Sequence, residues 1–151
     1  MLKSYIEDFE TADSQGWNLI AEKYGRMMES TDPQGYGEIA DRFSQIPPEK
    51  KAIIEEIVKI QVGWMEECAR EYPKASSMAR SIHTREDNLY NTSYETYLRG
   101  EISTYSDRTL DLYGRFIAGL CREERNLAKE TIGNSARLYG YASLDDLEEK
   151  L

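Results

Sequence analysis

Residues 18–25 read N-L-I-A-E-K-Y-G, and residues 126–133 read N-L-A-K-E-T-I-G. The two stretches share the pattern N-L-x-x-E-x-x-G at a separation of 108 positions. When the chain is shifted by that separation, residues 5–29 and 113–137 agree at five of 25 aligned positions. Chance alone gives about one or two such identities. The pattern therefore predicts an internal repeat.

Both motifs lie in segments whose apolar residues recur at helical spacing. One helical stripe is predicted between residues 2 and 28, interrupted at Asp13 and Gly16, and a second long helix over 106–139 with Ser106 as its N-cap. In such helices each motif glycine is internal and costs about 1 kcal/mol relative to alanine. Either a neighbouring helix approaches closely at the glycine, or the motif's Asn and Glu form a solvated pair.

The remaining segments also favour helices. Pro48 opens a strong helix over 49–72 that Pro73 ends, because proline suits a first turn but not a helix interior. Residues 73–91 show no periodicity, and no segment alternates with period two. Short helices are predicted after Thr31, after a Thr92–Glu95 capping box and after Ser143.

These segments predict a single all-α domain of 151 residues. The expected architecture is a helical bundle built from about one and a half copies of a helical repeat. Residues 1–45 form the partial first repeat and residues 49–151 the complete second one, because nothing before the first motif corresponds to 49–91.

The composition excludes several classes of protein. Hydrophobic residues make up 40% and charged residues 31%, which is typical of a folded globular chain. A net charge of −9 argues against binding nucleic acid or anionic membranes, both of which need a basic surface. The sequence has no membrane-spanning run and no signal-peptide pattern, so a cytoplasmic location is expected. Cys68 and Cys121 are predicted to be buried, reduced thiols.

Motifs for known cofactors are absent. The chain has no phosphate-binding glycine loop, no dinucleotide-binding fingerprint and no C-x-x-C pair. One histidine excludes a di-iron helical bundle, and one histidine with two cysteines is too few for a usual structural zinc site. No cofactor and no metal are expected.

The candidate site is the loop–helix segment 80–99. Residues 74–99, which include it, hold four cations against three carboxylates in an otherwise strongly acidic chain. Arginine binds carboxylate or phosphate through two parallel hydrogen bonds, and tyrosine adds apolar area with a polar tip. An anionic or aromatic small molecule, or a partner, is the candidate ligand; alternatively, the arginines pair with the protein's own carboxylates. The candidate ligand-binding residues are Arg80, His83, Arg85, Tyr94, Glu95, Tyr97 and Arg99.

A soluble helical binding or interaction protein is the primary expectation. The alternative is a small enzyme in which Glu95, Arg99, His83 and Tyr97 converge in a polar pocket as acid, base and anchoring groups. In the simpler interpretation Glu95 only completes a helix cap.

The N-terminal segment carries more apolar side chains than one stripe needs. A contiguous exposed apolar patch usually marks an interface. We expect contact with a second chain, either a symmetric copy or a separately encoded chain that completes the first repeat. The alternative is that the second unit folds back and covers the helix within a monomer. The candidate interface residues are Phe9, Trp17, Ile20 and Tyr24.

Five stretches together resemble an uncharacterised bacterial family, domain of unknown function 4125. They are S-Y-I-E-D-F-E (4–10), the segment from the first motif to Tyr36 (18–36), I-I-E-E-I-V-K-I-Q-V-G-W-M-E-E (53–67), Y-E-T-Y-L-R-G-E-I-S-T-Y-S-D-R-T-L (94–110) and R-L-Y-G-Y-A-S-L (137–144). The run Y-E-T-Y-L-R-G-E-I-S-T-Y-S (94–106) is the most specific part. Longer members carry an additional N-terminal segment, and relatives are Gly/Arg-rich near position 79, where this chain reads S-S-M-A-R. The resemblance implies an architecture and no catalytic residue.

Overall fold

A computed structural model describes all residues 1–151, and it is all-helical apart from turns and one isolated bridge between Asn88 and Asn91. The predicted all-α class is confirmed. None of the helices combines the length and apolarity that crossing a bilayer requires. The helices are α1 (Leu2–Ser14), α2 (Leu19–Thr31), α3 (Pro33–Ile39), α4 (Pro48–Glu71), α5 (Pro73–Ser77), α6 (Tyr94–Ser103), α7 (Asp107–Arg122), α8 (Leu127–Leu138) and α9 (Leu144–Lys150), with 3₁₀ turns at Ala40–Arg42 and Thr84–Glu86.

Each of the two long helices expected around the motifs is in fact a helical hairpin. The chain turns between α1 and α2 at Gly16 (φ 70°) and between α7 and α8 at Glu124 (φ 54°). Both residues are left-handed, a conformation that ends helices and that glycine adopts without steric cost. The prediction of one continuous helix over 106–139 was wrong, because the sequence gives no signal that Glu124 adopts a left-handed conformation.

The motif asparagines begin helices rather than lying inside them. Asn18 caps α2 by accepting from the Ala21 N–H at 3.0 Å, and Asn126 caps α8 by accepting from the Lys129 N–H at 3.0 Å. The solvated Asn–Glu pair was therefore the wrong interpretation, because each asparagine oxygen satisfies a free N–H of the first helical turn.

The two hairpins have matching backbone hydrogen bonds at positions 108 apart. The Trp17 N–H donates to the Ala12 carbonyl, and the Arg125 N–H donates to the Leu120 carbonyl, both at 2.9 Å. The equivalence is local to the hairpins. The division into repeats at 1–45 and 49–151 stays a prediction.

Of the other helix starts, two are as expected and one is not. Ser106 and Ser143 cap α7 and α9 through their hydroxyls. The Thr92–Glu95 capping box was wrong, because Ser93 is the N-cap of α6 and accepts from the Thr96 N–H. Glu95 is thereby free for a contact outside its own helix.

Helix α4 is the centre of the molecule, with α6, α7 and α8 packed around it. Cys68 is buried in this core as expected, but Cys121 is exposed, which corrects that prediction. The core has two clusters, one of Ile54, Ile57, Val58, Val62, Leu98, Ile102, Leu110, Ile117 and Leu120, and one of Met65, Cys68, Ala75, Ala128, Ala136, Leu144 and Leu147.

Close helix approach occurs at Gly100 more than at either motif glycine. A Cβ on Gly100 would lie 3.0 Å from the Lys23 carbonyl oxygen of α2. A Cβ on Gly25 would meet the Phe43 ring, whereas one on Gly133 would meet only Leu144 Cβ at 3.9 Å. Helix α6 is thereby pressed onto α2 on one side and α4 on the other. This sandwich positions the candidate site.

Candidate functional site

Because α6 lies between α2 and α4, the residues of segment 80–99 divide between two surfaces. One surface lines a cavity beside α4, which we call the groove. The other is the exposed side of α6 next to α2, which we call the outer face and define by Arg80, Tyr97, Lys23 and Tyr24.

The groove is a cavity of about 900 Å³ with a mixed polar and apolar lining. A volume of this size is within the range of small-molecule sites. The walls come from α2, α3, the 43–48 linker, α4, the 84–86 turn and α6. The lining residues that are relevant to the site are Arg26, Glu29, Ser30, Tyr36, Phe43, Lys51, Glu55, Thr84, Glu95, Thr96 and Arg99.

Arg99 donates its hydrogen bonds to other side chains of the protein. Its Nε and Nη2 donate to the two oxygens of Glu55 at 2.8 and 3.1 Å, and its Nη1 donates to the Thr84 hydroxyl at 3.2 Å. Burial alone would lower the pKa of Arg99, but the Glu55 and Glu95 carboxylates outweigh it and raise that pKa. Arg99 therefore fits the alternative in which an arginine of the segment pairs with the protein's own carboxylates.

Glu95 is a fixed carboxylate. Its Oε2 accepts from the Thr84 N–H at 2.8 Å, and Arg99 Nη2 lies 3.6 Å from its Oε1. Burial would raise the pKa of Glu95, but the bonds from Thr84 and the charge of Arg99 lower it below the ordinary value. A general acid that works near neutral pH needs a raised carboxyl pKa, so this environment favours a positioning role.

Asp87 anchors the segment to α2. Its carboxylate accepts from the Ser30 hydroxyl at 2.5 Å, from the Ser93 N–H at 2.7 Å and from the Thr96 hydroxyl. Burial would raise the pKa of Asp87, but these hydrogen bonds together lower it. The sequence analysis did not single out Asp87, and the only available signal was an aspartate in a segment rich in Ser, Thr and Asn.

Two cations converge on the Tyr97 ring at the outer face. Lys23 Nζ donates to the Tyr97 hydroxyl at 2.9 Å and lies 4.1 Å from the ring centroid. The guanidinium carbon of Arg80 lies 4.5 Å from the same centroid. The hydrogen bond from Lys23 lowers the pKa of the Tyr97 phenol. Lys23 was missed in the sequence because it is 74 residues away from Tyr97.

The charges of the outer face are not balanced. Lys23 forms an ion pair with Glu101 at 2.6 Å, and this pair is largely buried. Arg80 is exposed, and its one protein hydrogen bond is a long contact of 3.4 Å to the Thr92 carbonyl. Arg85 is also exposed and contacts only His83 Nδ1 at 3.4 Å. Arg80 and Arg85 thus have no carboxylate partner, unlike Arg99.

His83 and Tyr94 point to other parts of the molecule. His83 Nε2 lies 2.6 Å from Glu66 Oε1 of α4, and its Nδ1 lies 3.5 Å from Glu86. Tyr94 is a core residue whose hydroxyl donates to Gln61 at 3.0 Å, and burial raises its pKa to about 12.

The four residues of the enzyme alternative are therefore divided between surfaces. Glu95 and Arg99 line the groove, and neither His83 nor Tyr97 is part of that lining. His83 contacts Glu66, and Tyr97 belongs to the outer face.

The candidate interface residues lie on the N-terminal hairpin and are partly exposed. Ile20 and Tyr24 are 55% and 52% exposed, and Trp17 is exposed near the turn. Phe9 is half-buried with its ring 5.1 Å from that of Tyr5. The Tyr24 ring lies 6.3 Å from the Tyr97 ring, so the interface patch adjoins the outer face.

A family model described as "Protein of unknown function (DUF4125)" matches residues 1–149, nearly the whole chain. No curated protein and no solved structure matches the chain significantly.

Proposed function

Since this chain belongs to the DUF4125 family of proteins of unknown function, we propose from its geometry that it is a non-catalytic helical binding protein that recognises an anionic group at Arg80 and Tyr97. The observation that carries the proposal is the contrast between two arginines of one segment. Arg99 is paired with Glu55 and Thr84, whereas Arg80 is exposed, lies over the Tyr97 ring and has no carboxylate partner.

Stacking prepares Arg80 for this role. A guanidinium held over an aromatic ring keeps its in-plane N–H groups available, and a planar fork binds carboxylate or phosphate bidentately. The neighbouring Tyr97 hydroxyl already accepts from Lys23, so its own proton remains available to a ligand oxygen. The ligand would thus meet one guanidinium and one phenol.

The groove supports a weaker case as an anion site. Its two arginines, Arg99 and Arg26, would have to release Glu55 and Glu22 before binding a ligand. Lys51 is the lining cation without a carboxylate partner, and lysine lacks the planar fork of arginine. An enzyme built on Glu95, Arg99, His83 and Tyr97 has no comparable support, because only the first two line the same cavity.

We also propose that the two hairpins are copies of one ancestral unit and that α2 contacts a second chain. The Trp17 indole N–H donates to Glu22 at 3.5 Å, and the Arg125 Nε–H donates to Glu130 at 3.3 Å. These positions are 108 apart, as are the two left-handed residues and the two capping asparagines. Unrelated residue types, Trp and Arg, thus make the same contact.

A thermal-shift screen tests the anion site. The wild-type protein is heated with inorganic phosphate, citrate or a nucleoside monophosphate, beside the variants Arg80→Gln and Arg122→Gln. A ligand at a hundred times its dissociation constant should stabilise the fold by about 2.7 kcal/mol. We expect this stabilisation in the wild type and in Arg122→Gln, and its loss in Arg80→Gln. A flat response to all three anions, or equal responses of the two variants, would contradict the proposal.

A further inference from the structure

Helix α8 is covered by α4 on a face whose counterpart on α2 is uncovered. Ala128 of α8 is only 8% exposed and belongs to the same core cluster as Met65 and Cys68 of α4. The residue 108 positions earlier is Ile20 of α2, which is 55% exposed. Four residues on, Ile132 packs against this cluster, and its counterpart Tyr24 is half exposed.

The capping asparagines differ in the same way. The Asn126 amide nitrogen donates to the Trp64 carbonyl at 3.1 Å and to Glu67 Oε2 at 2.7 Å, so it ties the start of α8 to α4. Asn18 makes the same cap through its oxygen, but its amide nitrogen has no protein partner. The α2 hairpin thus presents the donor that its counterpart uses to hold a helix.

The residues of α4 that contact α8 indicate which kind of helix the uncovered face of α2 would bind. Where α4 covers α8, it supplies an apolar stripe together with Glu67 and Glu71, and Lys129 of α8 bonds to both carboxylates at 3.3 and 2.8 Å. On α2 the neutral Ala21 stands at the position of Lys129. An exposed cation beside this face is Arg80, whose guanidinium lies over Tyr97, the ring next to Tyr24.

We propose that the face formed by Asn18, Ile20, Ala21 and Tyr24, called the α2 face, docks an acidic amphipathic helix of a partner chain. The helix lies on α2 as α4 lies on α8, with its apolar stripe on Ile20 and Tyr24. A glutamate side chain accepts from the Asn18 amide nitrogen. The inference rests on the proposed contact of α2 with a second chain and deepens it, because it names the contact surface and a helical occupant. The α2 face adjoins the anion site through Tyr24, which belongs to both surfaces.

The burial of α4 distinguishes this occupant from a second copy of the chain, because the α4 of another copy is already packed in its own core. The α2 face of another copy holds no carboxylate that could accept from the Asn18 amide nitrogen. An acidic helix supplies that acceptor, and carboxylates near the start of α2 also interact favourably with the helix dipole.

A labelled peptide of residues 48–72 is the probe, because α4 is the helix that covers the equivalent face. Its binding to the full chain is followed by fluorescence anisotropy. We expect saturable binding that is about tenfold weaker for Ile20→Asp and for Ala21→Asp, since each adds a charge at the centre of the contact. Aspartate is well tolerated in the first turn of a helix, so α2 should persist, which circular dichroism checks.

Two controls make the outcome specific. Met78→Asp adds the same charge at an exposed apolar residue outside α2 and should bind like wild type. A peptide carrying Glu67→Lys should bind more weakly than the native peptide, because it removes the acceptor for Asn18.

Three results would overturn the inference. The first is the absence of saturable binding. The second is binding that Ile20→Asp, Ala21→Asp and Met78→Asp affect equally, which would mean exchange with the chain's own α4. The third is a stable homodimer in light scattering that Ile20→Asp dissociates, because the occupant would then be a second copy.

Discussion

Asn18 and Asn126 begin their helices with nearly the same backbone, at φ −101°, ψ 104° and φ −108°, ψ 105°, yet only Asn126 is bonded to a neighbouring helix. Each side-chain oxygen caps its own helix. The amide nitrogen of Asn126 binds α4, and that of Asn18 faces solvent. The same asparagine cap therefore binds a neighbouring helix in one hairpin and binds none in the other.

This difference predicts unequal costs of removing the two asparagines. Asn18→Ala should lose only the cap, about 1 kcal/mol. Asn126→Ala should lose the cap and also the two hydrogen bonds from its amide nitrogen to Glu67 and the Trp64 carbonyl, adding about 1–2 kcal/mol. Urea denaturation of both variants measures the difference. Equal losses would mean that the contact of Asn126 with α4 contributes little.

The different surroundings of Gly100 and Gly133 lead to a second prediction. Gly100→Ala should destabilise the protein by about 1–3 kcal/mol, because its Cβ would press on the Lys23 carbonyl, a backbone atom that cannot turn aside. Gly133→Ala should be neutral or stabilising by up to about 1 kcal/mol, because its Cβ would have room within a helix. Chemical denaturation of the pair compares them, and a destabilised Gly133→Ala would contradict this packing.

Asp87 should make stability depend on pH in the acid range. Its pKa is lowered in the folded protein, so its contribution is present above the unfolded pKa of about 3.9 and is lost as pH falls through the folded value. Asp87→Asn should lower stability at neutral pH and flatten the pH dependence in that acid window. Thermal unfolding across pH tests this, and a profile of Asp87→Asn that runs parallel to that of the wild type would contradict it.

The phenol of Tyr97 should report its contact with Lys23. The hydrogen bond from Lys23 lowers the pKa of Tyr97, so Lys23→Met should raise that pKa. The ring carbon signal of Tyr97 can be followed in a pH titration by NMR, with Tyr97→Phe to assign it. An unchanged midpoint would mean that Lys23 does not hold the phenol in solution.

The sequence predicted the helical class, because apolar spacing and proline positions are local signals. Gly16 was visible as an interruption, but Glu124 was not, since glutamate rarely adopts the left-handed conformation that it has there. The capping role of Asn18 and Asn126 could have been read from the preference of asparagine for helix starts.

The candidate site was predicted less completely than the fold. Segment 80–99 was identified from the local excess of cations over residues 74–99, but the sequence could not divide it between two surfaces. That division depends on α6 lying between α2 and α4, and contacts such as Lys23 with Tyr97 join residues far apart in the chain. The contact of Tyr94 with Gln61 is likewise a tertiary effect that the sequence does not show. For that reason Tyr94 was grouped with the ligand-binding residues.

We propose that Arg80, and not Arg99, binds the anion. NMR spectra of the arginine Nε–H groups, recorded during a titration with inorganic phosphate, test this claim most directly, with Arg80→Gln and Arg99→Lys to assign the two signals. We predict that the Arg80 signal shifts and saturates, while the Arg99 signal stays in place because its Nε–H remains on Glu55. A saturable shift of Arg99 alone, or equal unsaturated shifts of all exposed arginines, would contradict the claim.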